Sequence, residues 1–511
     1  MLARVQSFVL TGIDASRCEV EIDVAPGGLP SERIVGLPDA AVKESLERVR
    51  SAIGNTGYAF PVGRVVVNLA PADVRKEGPV YDLPIALGLL ISSGSLRATG
   101  GGVDLRTALV AGEVALDGRL RPIRGALSMT LLARDRGVSS VIVPIENANE
   151  AAVVEGVNVY AARTLAEVVG VISGDLPTEP HPPIDVESLL EQTNATVDFA
   201  DIKGQEGVKR AATVAAAGSH NMLMLGPAGT GKTMVAKALP GILPRLSVAE
   251  ALEVTRIYSA AGLLSRNDHE SVGVVTRRPV RSPHHTASVP AIVGGGQIPR
   301  PGEITLAHHG VLFLDELPEF PRDALETMRQ PLEDGCVTIA RAHSTVCFPA
   351  KVMLIAAMNP TPKGNMPTDH TSQRAMDRYL SRISGPLIDR IDIHVEAPAV
   401  PWKQLSAQGV RGESTATLRA RAMSARQFSQ RRRGETPNAR LTGRQLDELA
   451  PMDETARTLL GQAMQELGLS ARAYDKIRRL ARTIADLGER DNILTADIAE
   501  AVQYRLLDRN V

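Results

Sequence analysis

One octapeptide limits what this chain can fold into more than any other feature. Gly226-Pro-Ala-Gly-Thr-Gly-Lys-Thr233 follows the apolar run Asn221-Met-Leu-Met-Leu225 and precedes a helical pattern. A strand that turns through glycines directly into a helix leaves backbone N–H groups converging at a helix N-terminus, which is a cradle for phosphate. Pattern and context are both met, so Gly226, Pro227, Ala228, Gly229, Thr230, Gly231, Lys232 and Thr233 read as a nucleotide-phosphate loop. Lys232 would reach the β- and γ-phosphates, and Thr233 would give its hydroxyl to a metal. ATP and Mg²⁺ are the expected ligands. The fold this demands is α/β with a parallel sheet, which the alternation of strand and helix patterns to about Val400 also predicts.

Hydrolysis at such a loop needs a second acid for the metal and a group that orients water. Gly310-Val-Leu-Phe-Leu-Asp-Glu316 supplies both: four apolar residues form a buried strand, and two acids emerge at its end. Asp315 would hold Mg²⁺ and Glu316 would polarise the attacking water. A third apolar strand, Val352-Met-Leu-Ile-Ala-Ala-Met358, ends in Asn359-Pro360, where an amide can sit beside the γ-phosphate. A strand-terminal Asn that merely starts a turn is the competing reading.

Composition narrows the remaining choices. The 511 residues carry 57 Lys and Arg against 58 Asp and Glu, which excludes a uniformly basic protein that coats nucleic acid. One Trp, seven Tyr and seven Phe are too few for a surface that stacks bases. Cys18, Cys336 and Cys347 are too scattered for a disulfide framework, so a reducing cytoplasm is expected. Gln6, Ser7 and Asp14 interrupt any signal-peptide core, and the apolar stretch Leu83–Ile91 is far short of the ~20 residues of a membrane helix. No membrane partner is expected.

Composition also divides the chain. Residues 1–174 alternate short β-branched runs with helical patterns, including Cys18–Val24, Arg64–Leu69 and Ser140–Pro144. Residues 175–197 read as an acidic linker with several prolines and no Lys or Arg. The α/β segment spans 198–400, and a connector spans 401–445. The closing segment, 446–511, holds three amphipathic helices over about Glu454–Leu467, Ala471–Leu487 and Thr495–Leu506. Gly468 and Gly488 are expected at their ends and Thr495 as an N-cap.

The order of the phosphate loop, Val311-Leu-Phe-Leu-Asp-Glu-Leu317, Ala356-Ala-Met-Asn-Pro360 and Ser384-Gly-Pro-Leu-Ile-Asp-Arg-Ile-Asp-Ile-His394 resembles the AAA+ ATPases of the magnesium-chelatase-like clade. Within it the chain resembles the YifB/ComM family over essentially its whole length. Asp198-Phe-Ala-Asp-Ile-Lys-Gly-Gln205, Ser282-Pro-His-His-Thr286, Gly302-Glu-Ile-Thr-Leu-Ala-His308 and Ser470-Ala-Arg-Ala-Tyr474 carry the likeness further. The resemblance implies a homo-hexameric ring with each ATP held between neighbouring subunits, and a helical C-terminal lid. Arg390 would be the arginine finger, a residue worth 10³–10⁵ in rate in comparable enzymes. Arg472 matches the sensor-2 position, in its own subunit or a neighbour's. Surface salt bridges are the competing reading for both arginines. The activity implied is a DNA helicase that promotes branch migration on branched or single-stranded DNA in recombination and natural transformation. Two rivals stand beside it: a chelatase-type ATPase that remodels a partner protein, and a nucleotide-switched scaffold.

Two insertions match the clade, one over Arg277–Ile304 and one hairpin, Cys336–Arg341 returning through Thr345–Phe348. Arg341 and His343 at its tip would touch phosphate in a ring pore, or be merely a solvated tip. The first segment resembles an α+β Lon-protease-like (ribosomal S5 domain 2-like) domain through Arg75-Lys-Glu-Gly-Pro79 and Gly112–Ile123. Val80 stands where the active enzymes have their serine, and no lysine occurs between Lys76 and Lys203, so no protease is expected. No cysteine lies between Asn359 and Arg390, so no structural zinc is expected there. The pairs His284/His285 and His308/His309 are read as polar loop packing in preference to a metal site. Finally, Ala399–Gln445 holds ten Lys or Arg (Lys403, Arg411, Arg419, Arg421, Arg426, Arg431, Arg432, Arg433, Arg440, Arg444) against Glu413 and Glu435, a local charge of +8. That stretch suits a phosphate backbone or a solvated connector equally well.

Overall fold

The computed structural model describes all residues except 1, 26–30, 98–100, 178, 193–196, 265–272, 297–298, 342–343, 361–378, 380–381, 403–411, 435, 506 and 508–511. The chain forms two compact units, Met1–Glu191 with Ser247–Thr276, and Gln192–Leu246 with Arg277–Val511.

In the first unit, β1 (Leu2–Thr11), β2 (Asp14–Ala25), β3 (Ser31–Val35) and β4 (Arg64–Ala70) form a sheet in the order β1-β2-β4-β3. Cys18, Val20, Ile22 and Val24 alternate inward along β2, as a strand with one covered face requires. Between β3 and β4 runs helix α1 (Ser45–Asn55), and helix α2 (Asp82–Ser92) packs against β1 and β2. Gly88 lets it approach, because a Cβ there would lie 2.1 Å from Ile22 Cδ1. Asp82 opens α2 fully buried and is held by both arms of Arg48 at 2.8 and 2.9 Å. A parallel sheet of β5 (Ala108–Val110), β6 (Ser140–Pro144) and β7 (Asn158–Ala162) follows, with helix α3 (Ala126–Asp135) between β5 and β6 and helix α4 (Leu165–Ser173) after β7.

Two stretches join this unit for reasons that local patterning does not carry. The segment after Gly174 docks: His181 N–H donates to the Val159 carbonyl at 2.7 Å, Ile184 N–H to that of Ala152 at 3.1 Å, and Val186 and Leu190 are buried. The helix Val248–Ala261, within the stretch read as part of 198–400, folds with the first unit as well. Its Arg256 reaches the Ile13 carbonyl at 3.1 Å and pairs with Asp14, and its Ser259 donates to buried Glu150.

In the second unit, helix α5 (Glu206–Gly218) leads to β8 (Met222–Leu225), and helix α6 (Lys232–Ala238) follows it. With β9 (Val280–Arg281), β10 (Val311–Leu314), β11 (Met353–Met358) and β12 (Ile393–Glu396), β8 forms a sheet in the order β9-β10-β11-β8-β12, every neighbouring pair parallel. All residues of β8, β10 and β11 are buried, the pattern of a sheet covered on both faces. The order sets the carboxyl ends of β10, β11 and β8 side by side, which is where open parallel sheets bind ligands. The longer C-terminal helices are α7 (Thr415–Arg433), α8 (Glu454–Glu466), α9 (Ala471–Leu487) and α10 (Thr495–Gln503). Gly468 takes the left-handed conformation after α8, at φ 62°. Thr495 is the first helical residue and not the cap. Leu494 holds that place, its N–H satisfied by the Asp497 carboxylate at 2.9 Å. Among the described residues no helix is long and apolar enough to cross a membrane.

Candidate nucleotide site

The loop Gly226–Thr233 leaves the end of β8 and turns into α6. Gly229 and Gly231 sit at φ 78° and 88°, a region that side-chain-bearing residues rarely adopt, and no atom lies within 4 Å of where their Cβ atoms would be. At Gly226 the demand is close approach, since a Cβ would lie 2.1 Å from the Ala397 carbonyl oxygen beyond β12. The loop is thus open on its outer side and tight against the sheet.

Lys232, at the first turn of α6, folds its ammonium back over the loop. It donates to the carbonyls of Gly226 and Pro227 at 2.7 Å each and lies 3.3 Å from Asn359 Oδ1. These hydrogen-bond partners are neutral, so within the loop the ammonium is not paired with a carboxylate. Burial pulls the Lys232 ammonium below its ordinary range, while Asp315 and Glu316 push it back up. Thr233 Oγ1 donates to Asp315 Oδ2 at 3.0 Å. A hydroxyl and a carboxylate in contact form an all-oxygen donor set, which fits Mg²⁺ and does not fit a thiophilic metal.

Glu316 follows Asp315 in a left-handed conformation, φ 53°, uncommon for a residue with a side chain. Asp315 faces Thr233, and Glu316 Oε2 lies 3.2 Å from His285 Nδ1. The sequence alone suggests only loop packing for His285. Its motif, Ser282–Thr286, was the available signal, but nothing local says which carboxylate it meets. His284 turns elsewhere, with Nδ1 2.9 Å from Thr286 Oγ1. His308 is buried and accepts from Lys351 N–H at 3.0 Å. Gln205 is a second residue whose part the sequence did not disclose. From a left-handed backbone, φ 59°, its Nε2 donates to the carbonyls of Thr230 at 3.1 Å and Pro398 at 2.7 Å, tying the phosphate loop to the chain beyond β12.

The structure therefore brings Lys232, Thr233, Asp315, Glu316 and Asn359 to one sheet end. Arg390 and Arg472 are elsewhere among the described residues. Arg390 pairs with Glu333 and donates to the Pro386 carbonyl at 3.1 Å, and Arg472 Nη1 lies 3.1 Å from Asp389 Oδ2. His343 and the Arg341 side chain lie outside the described residues.

The basic stretch is largely committed to its own unit. Arg419 donates to the Gly241 carbonyl at 2.5 Å, and Arg426 caps the end of α5 through two bonds to the Ala216 carbonyl at 2.6 and 3.0 Å. Arg432 pairs with buried Asp486, and Arg421 with Glu413. Arg433 donates to Ser429 Oγ at 2.6 Å, Lys403 and Arg411 lie outside the described residues, and Arg431, Arg440 and Arg444 are exposed. Five of the ten basic residues of this stretch, all on α7, are thus engaged by partners in their own unit.

Family models match three stretches: "Magnesium chelatase, subunit ChlI" over residues 198–405, "Subunit ChlI of Mg-chelatase" over 20–147, and "Magnesium chelatase, subunit ChlI C-terminal" over 412–505. The competence protein ComM of Haemophilus influenzae is 42% identical, covering 99% of this chain and 98% of that protein. The uncharacterized protein YifB of Salmonella typhimurium is 43% identical over the same shares. The magnesium-chelatase subunit ChlI of Chlorella vulgaris is 22% identical over 63% of this chain. With such identity over nearly its full length, the chain belongs to the ComM/YifB family of magnesium-chelatase-like AAA+ proteins.

Proposed function

We propose that this protein is an ATP-hydrolysing ring motor that acts on DNA and promotes branch migration as a cytoplasmic homo-hexamer. The observation that carries the reading is the split of the predicted residues into two groups. Lys232, Thr233, Asp315, Glu316 and Asn359 share one sheet end, whereas Arg390 and Arg472 pair with acids away from it. A site divided in this way is completed by a second subunit. The Arg472–Asp389 pair supports placing Arg472 beside the finger, facing the same neighbour's nucleotide.

In this reading Lys232 and the loop amides bind the ATP phosphates, and Thr233 and Asp315 hold Mg²⁺. When bound there, Mg²⁺ would supply charge neutralisation for the phosphates. Glu316, held on one side by His285, orients the attacking water and accepts its proton, while Asn359 fixes the water's approach. Arg390 of the adjacent subunit stabilises charge on the transferred group. The C-terminal helices serve as the lid, and the first unit is a Lon-like domain without a protease nucleophile. The DNA assignment draws on the likeness to a competence protein.

The test is ATP turnover with and without branched DNA at low salt, followed by strand displacement. Stimulation of at least several-fold, with displacement, is expected. Turnover indifferent to any DNA would leave the remodelling of a partner protein as the better reading, in keeping with the likeness to magnesium-chelatase subunits.

A further inference from the structure

The segment Asp389–Asp392 is gripped at every residue. Asp389 faces Arg472 at 3.1 Å. The Arg390 carbonyl accepts from Asn221 Nδ2 at 2.8 Å, and its guanidinium pairs with Glu333. The Ile391 carbonyl accepts from Lys476 Nζ at 3.0 Å and from Arg505 Nη1 at 2.6 Å. Asp392 lies 3.5 Å from Lys476 Nζ and 3.3 Å from His220 Nδ1, and its carbonyl takes a further bond from Arg505 at 3.1 Å. His220 Nε2 in turn meets Thr483 Oγ1 at 2.8 Å.

Arg472, Lys476 and Thr483 fall on one face of α9, at i, i+4 and i+11, so a single helix face makes these contacts. The Lys476 and Asp392 side chains are only 8% and 10% exposed. A buried pair of this kind is costly to break and costly to shift, because water cannot replace either partner. Helix α9 therefore cannot move against Asp389–Asp392 without breaking several charged hydrogen bonds at once.

We propose that Lys476 is a positioning residue for Arg390: through Asp392 and the Ile391 carbonyl it makes helix α9 and the finger segment one body, so that each subunit's C-terminal helices set the placement of the guanidinium offered to its neighbour. This rests on the reading of Arg390 as a finger that acts on the adjacent subunit's nucleotide. A displacement of about 1 Å at such a group is enough to cost on the order of 10²-fold in rate.

Mixed rings separate the two ideas. Subunits carrying Lys232→Ala, unable to hold their own nucleotide, are mixed with unaltered subunits, and turnover is read per unaltered subunit. Any second change in the Lys232→Ala subunit then acts only through what it presents to a neighbour. Adding Lys476→Met is expected to depress the neighbours' turnover as far as adding Arg390→Ala does. If Arg390→Ala depresses turnover and Lys476→Met leaves it at the Lys232→Ala level, the coupling is overturned and the finger stands. If Arg390→Ala has no effect, the finger reading falls and the proposal with it. Because Lys476→Met strands a buried carboxylate, Lys476→Met with Asp392→Asn is run in parallel, with incorporation into rings checked by native mass spectrometry. In homogeneous rings either version is expected to lower kcat at least ten-fold with KM for ATP within two-fold. An unchanged kcat overturns the proposal.

Discussion

At the residue scale, the site depends on two neighbouring acids being sent in different directions. Glu316 accepts an unfavourable backbone conformation, φ 53°, and the result is one carboxylate on Thr233 and the other on His285. The consequences are separable. Glu316→Gln is expected to lower ATP turnover at least 100-fold while a fluorescent ATP analogue still binds within a few-fold of the unaltered affinity. Lys232→Ala removes the one buried cation of the loop and is expected to lose that binding. His285→Ala leaves the loop intact, so its expected effect is a kcat lower by roughly ten-fold at unchanged KM, checked by steady-state kinetics. Equal losses in kcat and in affinity would place His285 in folding instead of in orientation of Glu316.

At the element scale, helix α7 shows how charge along a sequence differs from charge on a surface. Arg426 satisfies the Ala216 carbonyl at the end of α5, Arg419 does the same for Gly241, and Arg432 answers Asp486. Arg426→Ala is expected to destabilise the protein by about 1–3 kcal/mol in thermal unfolding, because buried acceptors lose a charged donor. The same substitution should leave the salt dependence of the proposed DNA binding untouched. Arg431→Ala with Arg444→Ala is expected to do the reverse: stability within about 0.5 kcal/mol, and a salt slope lower by roughly 1 for each phosphate contact removed. A slope unchanged by the exposed pair would leave α7 a brace and nothing more.

At the scale of the whole molecule, the notable feature is a chain that returns to its first unit after entering the second. The helix Val248–Ala261 is held there by Arg256 on Ile13 and Asp14 and by Ser259 on Glu150. Glu150 is wholly buried and also accepts from Leu127 N–H at 2.8 Å. Burial raises its carboxyl above the ordinary Glu value of 4.5, and hydrogen bonds from Ser259, Leu127 and Asn147 only partly oppose this. The folded state therefore holds this proton more tightly than the unfolded chain does. This group's contribution to stability is fully present below about pH 4.5 and declines as pH rises through the folded value. Glu150→Gln removes that titration. The thermal midpoint of the variant is expected to fall less steeply than that of the unaltered protein between pH 5 and 8.

How much of this was legible beforehand follows from the range over which each feature is encoded. The phosphate loop, the strand ends at Asp315 and Asn359, and the helices from Glu454 onward are set by patterns a few residues long. Backbone geometry and apolar period are enough to specify them. The parallel sheet follows from the same alternation, because strands joined through helices have no other way to pair. Partners across long separations were not legible. His285 on Glu316, Lys476 on Asp392, Arg432 on Asp486 and Ser259 on Glu150 are contacts that only packing brings about. The same limit explains the basic stretch and the helix Val248–Ala261. A sequence states how many charges and apolar faces a segment carries, but which of them meet a buried partner is decided when distant elements close around them. By itself, then, the sequence determined the loop Gly226–Thr233 and the parallel sheet that presents it. The tertiary structure alone decided which charges remain available and which segment holds Arg390, because burial turns an ordinary ion pair into a fixed one.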